Sequence, residues 1–560
     1  MPSRPPRLYH DQTPEFLTVQ PAGQSVPSYG HDLTVRVKLE TPAGCLKAAV
    51  VTYPDADERH DALTLESSSG GLDTWTGTFT WRSGDPCRYR FKAVMPDSAG
   101  GKTYPLWFRG EVEPQGGSRV WWLNAAGVTP FTPPRDTDFA FSPDEPPAWV
   151  TSAVFYQIFP DRFRNGDPST DVKDGEHAYG GRPVFARAWG ERPQPQTGGL
   201  EFYGGDLPGI RSRLDYLQDL GVTALYLNPI FTAPSVHRYD TQDYRTVDPH
   251  LGGNAAFHDL AADLHRLGMR VLLDGVFNHA GVTHAWFRAA SGAETAPERA
   301  YFTFPEGGND YATWLGVKTL PKLDYRSPEL ADAVYAGEDS IVRHWLKPTA
   351  PGRDDAADGW RLDVVHMMGE GGTSRGNHRV LAGLRAAMRD ARPDSYLIGE
   401  HFYDATEWLQ GNLEDGAMNY PGFTWPTWGF LAGTDHRGEP MALDAAEYDA
   451  AMRAARARLP WRNQLAQFNL LDSHDTPRLI SLLPRRELAR VAAVLLFTAV
   501  GVPCVYYGDE IGLEGGQDPD CRRTMPWDEA AWDAGLRDHD RRLIGLRRAS
   551  RALQEGGWET

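Results

Sequence analysis

The sequence predicts an α/β protein: a (β/α)8 barrel with a subdomain inserted after its third strand, preceded by an N-terminal β-sandwich. Three observations predict it. Residues 1–129 alternate apolar and polar side chains with a period of two, the pattern of strands with one buried face. From about Val154 short apolar runs alternate with stretches of helical period. Acidic residues stand at the ends of several of those runs, where the loops of a βα barrel carry chemistry.

In chain order, LTVRVKLE comes first, with Leu33, Val35, Val37 and Leu39 set against Thr34, Arg36, Lys38 and Glu40. TWTGTFTW repeats the alternation with Trp75, Phe79 and Trp81, and YRFKAVM with Tyr89, Phe91, Ala93 and Met95. Strands of this kind bury one face by pairing two sheets, hence a sandwich. Pro130, Pro133, Pro134, Pro143, Pro146 and Pro147 then mark a Pro-rich linker over residues 130–149. The barrel is expected over 150–560, with strands at FYQIF, ALYLN, RVLLDGVF, WRLDVV, YLIGE and PCVYYG. Between them, Ile210, Leu214, Leu217 and Leu220 form an apolar helical stripe that Gly221 stops. Phe257, Leu260, Leu264 and Leu267 do the same before Gly268. The long interval after His279, which contains TWLGVKTLPKLDYRSPEL, predicts the inserted subdomain or lid over about 280–325. Val491–Tyr507 is almost wholly apolar, but Gly501 and Pro503 break it. It reads as a buried helix ending near Val500 and a buried strand from Pro503, not as a membrane span.

Composition narrows the partners. A formal net charge of −18 argues against nucleic acid or an anionic membrane. A neutral polyol fits better, and 18 Trp and 22 Tyr supply faces for sugar rings, although most single aromatics serve the core. The four cysteines have no metal-type spacing, which suits reduced buried thiols. MPSRPPRLYHDQ lacks the apolar core of a signal peptide, so a cytoplasmic location is expected. No G-x-G-x-x-G follows a strand, which disfavours a dinucleotide enzyme.

The chemistry lies in the strand ends. Asp363 ends one run with Arg361 two residues before it, Glu400 ends the next, and Asp475 follows His474 in LLDSHD. A fourth run brings Asp274, Asn278 and His279. Carboxylates converging from separate strands are what glycosidic bond cleavage needs. A guanidinium two residues from Asp363 would hold that carboxylate ionised and oriented. A second constellation, Asn165, Asp167, Asp171, the Gly204 carbonyl and Asp206, offers hard oxygens that suit a structural calcium ion. A plain Asx-rich turn accounts for the same residues. No acid–base step requires a metal or other cofactor.

The ordered set DGVFNH, GWRLDVVH, GEH and LLDSHD resembles the four conserved strips of the α-amylase family, glycoside hydrolase family 13. FYQIFPDRF, FYGGDLPGI, HRYDTQDY and YYGDEIG extend the resemblance along the chain. It implies that Asp363 is the nucleophile, Glu400 the acid and base, and Asp475 the holder of two sugar hydroxyls. It implies also that His279 and His474 hydrogen-bond the sugar, that Tyr239 lies under its ring, and that Asp518 and Arg522 form a pair further towards the non-reducing side. Asp274 reads as a structural acid.

GEHFYD, LPKLDY and GEDSIVRHWLK look like the maltodextrin glucosidase branch, which implies retaining hydrolysis of α-1,4-glucosidic bonds in short maltodextrins with release of glucose. The alternative is an endo-acting enzyme of the neopullulanase or cyclomaltodextrinase type. Such enzymes usually carry Trp where Phe402 stands and MPKLN where Leu320–Asp324 stand. A non-catalytic glucan-binding protein is a remote third reading, since all three acids are present. Expected partners are maltodextrins and related α-glucans, with the chain a monomer or a homodimer. Related enzymes bind calcium at the segment around Asn165, often with Asn where Thr170 stands. They also continue into a C-terminal β-domain, which a sequence ending at Thr560 is expected to lack or to carry only in part.

Overall fold

The period-two alternation of the first segment resolves into two facing antiparallel sheets in the computed structural model. The structure describes residues 6–12, 15–20, 32–54, 57–82, 87–96, 118–141, 145–305 and 310–557; Pro143 and Thr560 lie outside the described residues. One sheet orders β1 (Leu17–Gln20), β2 (Asp32–Pro42), β6 (Leu72–Arg82) and β5 (Thr64–Ser69). The other orders β4 (Arg59–Ala62), β3 (Lys47–Thr52), β7 (Cys87–Pro96), β8 (Ser118–Asn124) and β9 (Gly127–Thr129). The register between β2 and β6 sets Leu33 opposite Trp81, Val35 opposite Phe79 and Leu39 opposite Trp75. That face is therefore apolar from Leu33 to Leu39, and it packs on Tyr89, Phe91 and Ala93 of the second sheet.

The segment read as a Pro-rich linker needs correcting. Within it, β10 (Phe139–Phe141) pairs antiparallel with β7, Phe139 opposite Tyr89. The prolines flank a proline-free stretch that can still donate to a ladder, so the sandwich runs past residue 129. Buried Arg90 on β7 lies 3.3 Å from buried Asp138, just before β10.

Eight parallel strands follow: β11 (Phe155–Ile158), β12 (Ala224–Leu227), β13 (Arg270–Gly275), β14 (Gly359–Leu362), β15 (Tyr396–Gly399), β16 (Gly416–Ala417), β17 (Phe468–Leu470) and β18 (Val502–Tyr506). Their spatial order is β16-β15-β14-β13-β12-β11-β18-β17. A bridge between Met418 and Phe468 joins the two ends, so the barrel closes. Alternate residues fill two cores. Phe155, Tyr226, Leu272, Ile398 and Phe468 form one, while Tyr156, Ile158, Leu225 and Leu227 join the cluster that includes the helical residues Leu260 and Leu264.

Strand β16 was not among the predicted strands. It is two residues long, and a Cβ on Gly416 would lie 2.0 Å from the Ala466 carbonyl oxygen, so the position carries no apolar signature. The predicted stripe Ile210–Leu220 divides into helices Leu207–Arg211 and Leu214–Leu220, the second stopped by Gly221 at φ +99°. The apolar stretch near the end is helix Leu488–Thr498 followed by β18, as read. Among the described residues no helix is long and apolar enough to cross a membrane. The insertion after β13 contains helix Ala285–Gly292 and is tied back on itself by bridges His279–Lys322, Phe302–Leu323 and Thr313–Pro321.

Candidate active site

Parallel register brings the acids together. Asp274 on β13 lies opposite Arg361 on β14, and Leu362 lies opposite Gly399 on β15. Asp363 and Glu400 therefore each follow the last residue of adjacent strands, at the end where barrel chemistry sits.

Arg361 is fully buried and serves three carboxyl groups. Its Nη1 donates to Asp274 Oδ1 at 2.9 Å and to Asp363 Oδ1 at 3.1 Å, and its Nη2 lies 2.8 Å from Glu400 Oε1. Burial and the charge of Glu400 push Asp363 well above the usual carboxylate range, against the pull of Arg361. Burial likewise raises Glu400, again against Arg361. Each carboxyl thus holds its proton more tightly than in water, and the charge of Glu400 adds to the cost of ionising Asp363. Glu400 Oε2 also accepts the Val364 N–H at 2.8 Å. Val364 sits at φ +45°, a region β-branched residues avoid, so the turn after Asp363 is strained.

Asp475 differs from this pair. Its side chain is 28% exposed, and it lies 3.0 Å from both His474 Nε2 and Arg522 Nη2. Burial works to raise it, but His474, Arg522 and Arg361 together hold it well below the carboxylate range. Asp475 is thus an anchored anion beside two carboxyl groups shifted the opposite way. Arg522 Nη1 also pairs with Asp518 at 3.0 Å, which places both members of the expected pair beside Asp475.

The remaining expected residues surround the acids. The Tyr239 hydroxyl donates to Asp274 Oδ2 at 3.0 Å and lies 2.6 Å from His474 Nε2, and its ring stacks on that imidazole at 5.6 Å. Asn278 Nδ2 donates to His279 Nδ1 at 3.0 Å, which leaves the proton on Nε2. That nitrogen lies 3.9 Å from Asp363 Oδ2. Burial lowers His279 to about 3, so the ring is neutral. His279 Nε2 and Asp363 Oδ2 are both buried without a hydrogen-bond partner, available to a hydroxyl between them.

Sequence reasoning missed the supporting residues. Gln157 Nε2 donates to His474 Nδ1 at 2.8 Å, and Asn228 Nδ2 to the Tyr239 hydroxyl at 3.1 Å. His237 also stacks on Tyr239, at 5.9 Å. The one signal for Gln157 was an amide in the middle of the apolar run FYQIF.

The segment read for calcium is hydrogen-bonded largely within itself. Asp206 accepts backbone N–H groups of Gly166, Asp167 and Gly209, and Asp167 Oδ1 accepts that of Ser169. Asn165 Nδ2 donates to Asp171 Oδ1 at 2.8 Å. Calcium takes six to eight oxygens, several of them carboxylate. Here the acids also cap turns, and among the described residues no three or more His, Cys, Asp or Glu are grouped to hold a metal ion. Asn165 Oδ1, a member of the expected donor set, is buried without a hydrogen-bond partner, an oxygen that a cation would satisfy.

Comparison with known proteins agrees with this geometry. The family model described as the alpha amylase catalytic domain matches residues 157–551. A cyclomaltodextrinase of Geobacillus thermopakistaniensis is 38% identical over 420 residues, covering 73% of this chain and 64% of that protein. Neopullulanase 2 of Thermoactinomyces vulgaris is 37% identical over 419 residues, covering 73% of this chain and 65% of that one. The chain therefore spans just under two thirds of the length of these relatives. A solved cyclomaltodextrinase structure covers 99% of this chain with 86% of its own length included, at 28% identity and a TM-score of 0.69, so the likeness takes in the sandwich as well as the barrel. With the three acids gathered at one end of the barrel and a family match over most of its length, the chain belongs to the alpha-amylase family.

Proposed function

We propose that this protein hydrolyses α-1,4-glucosidic bonds in malto-oligosaccharides and cyclic α-glucans, with retention of anomeric configuration. The observation that carries the reading is Arg361 bridging Asp363 and Glu400 beside the anchored anion Asp475. Asp363 attacks the anomeric carbon while Glu400 gives its proton to the departing glycosidic oxygen; a β-glucosyl ester forms and the glycosidic bond breaks. Glu400, now ionised, takes a proton from water, which attacks the same carbon and returns Asp363 as the free carboxylate. Asp475 holds sugar hydroxyls through this change. Neutral His279 fits hydrogen bonding to the sugar without adding charge against the developing cation.

Glucose release was the first expectation, on the strength of GEHFYD, LPKLDY and GEDSIVRHWLK. The matching relatives named cyclomaltodextrinase and neopullulanase favour the endo-acting, ring-opening alternative. The four cysteines are buried and unpaired, which suits the reducing cytoplasm. The test is a product profile on maltoheptaose, β-cyclodextrin and pullulan. Ring opening, with maltose or panose as early products, is expected; glucose as the first product from maltoheptaose, with the ring untouched, would return the glucosidase reading.

A further inference from the structure

Behind Asp475 lies a second pair of carboxyl groups that the bond-breaking steps do not use. Asp475 and Arg522 belong to two different loops, one after β17 and one after β18, so their contact depends on how those loops dock. The His474 carbonyl accepts from Arg522 Nε at 2.8 Å and from Cys521 Sγ at 3.2 Å, which fixes the first loop at the residue before Asp475. Arg478 on that loop also reaches across to the second. Its Nε donates to the Cys521 carbonyl at 3.0 Å and its Nη1 to Asp509 Oδ1 at 2.7 Å. The guanidinium lies 4.2 Å from the ring centre of Tyr506.

Asp472, buried three residues before Asp475, meets Asp509 across the same gap. The two carboxyl groups hydrogen-bond each other, and both border a cavity walled by Leu471, Leu479, Leu496 and Phe497. Two carboxylates cannot bond in this way, because neither carries a donor. One member of the pair therefore holds a proton. Asp472 Oδ2 accepts the Leu479 N–H at 2.6 Å, while Asp472 Oδ1 is buried without an N–H or hydroxyl partner. That free oxygen is the acceptor, and Asp509 is the donor that faces it. Burial and the charge of Asp472 both hold the proton on Asp509. With the proton there, the charge on Asp472 balances that of Arg478, and the apolar wall borders a neutral group.

Resting on the α-glucan hydrolase reading above, which gives Asp475 its sugar-holding role, we propose that Asp509 is a protonated carboxyl donating to Asp472, and that this pair, braced by Arg478, positions Asp475 against Arg522. Neither acid touches the sugar. Both act through the loops they tie together.

Asparagine is the matched replacement at 509, since its amide donates to Asp472 while its carbonyl accepts from Arg478. Asp509→Asn should keep kcat/KM on maltoheptaose within about threefold, whereas Asp509→Ala should lower it roughly 10- to 100-fold through misplacement of Asp475. Asp475 serves the ring whose bond is cut, so the alanine variant should lose as much on an aryl α-glucoside as on maltoheptaose. Infrared difference spectra of the wild type against Asp509→Asn at neutral pH should show a protonated-carboxyl C=O band that the variant lacks. That measurement needs no substrate, and it decides the matter even where the alanine variant does not fold. A missing band, or an asparagine variant as damaged as the alanine one, would show that Asp509 works as an ion and overturn the proposal. A folded alanine variant as active as the wild type would overturn the positioning role. A wild type that cleaves no glucan would sink the hydrolase reading and the positioning role with it, while the band would still report the proton.

Discussion

Arg361 sets the character of the site, because one buried guanidinium faces Asp274, Asp363 and Glu400 together. The assignment of Glu400 as acid predicts that Glu400→Gln lowers turnover of maltoheptaose about 10³-fold. An aryl α-glucoside with a good leaving group needs little protonation and should lose far less; equal losses in parallel assays would contradict the role. A second expectation concerns pH. Burial raises the folded pKa of Asp363 above its unfolded value near 3.9. Below that pH both states hold the proton and the group costs nothing. As pH rises through the folded value the buried charge is penalised and stability falls. Asp363→Asn should therefore abolish turnover while raising Tm by about 2 °C or more at pH 8 and scarcely at all at pH 4. A uniform gain across pH in calorimetry would show that the strain is not electrostatic. The chain order of these acids was legible because each ends an apolar run. Gln157, Asn228 and His237 were not, since they reach the site across 317, 11 and 2 positions respectively to partners that no local period reveals.

At the level of elements, the legible pieces are those with a period. β2, β6 and β7 each run ten residues or more and show their buried face in the sequence. β10 was hidden by the prolines around it, and β16 by its length of two residues. The pairing of β7 with β10 rests partly on Arg90, which donates to the Tyr53 hydroxyl and the Pro133 carbonyl and neutralises Asp138. Burial already lifts Asp138 to about 6. Arg90→Ala would strand that acid without its partner, and chemical unfolding monitored by tryptophan fluorescence should show a loss of about 3 kcal/mol. A loss below about 1 kcal/mol would mean that β10 is held by its ladder alone. The insertion after β13 shows the reverse case: its existence was legible from the length of the interval, but its clasp by the His279–Lys322 bridge was not, because the two residues come from its opposite ends.

At the scale of the whole molecule, the order sandwich then barrel followed from a change of period near Val154, and the family from four ordered strips. Closure of the barrel could not be read that way. It depends on where the shortest strand meets its neighbour: the Met418–Phe468 bridge, the Asn419 N–H to the Phe468 carbonyl, and the Asn419 side chain on Asn469. Every other neighbouring pair of strands shares a longer ladder, apart from the contact of β16 with β15. Amide protons along this seam are therefore the first in the barrel to reach solvent as the ring opens and recloses. Because the seam lies next to β15 and β17, the strands that carry Glu400 and lead to Asp475, breathing there slackens the spacing of two acids while leaving Asp363 and Arg361 seated.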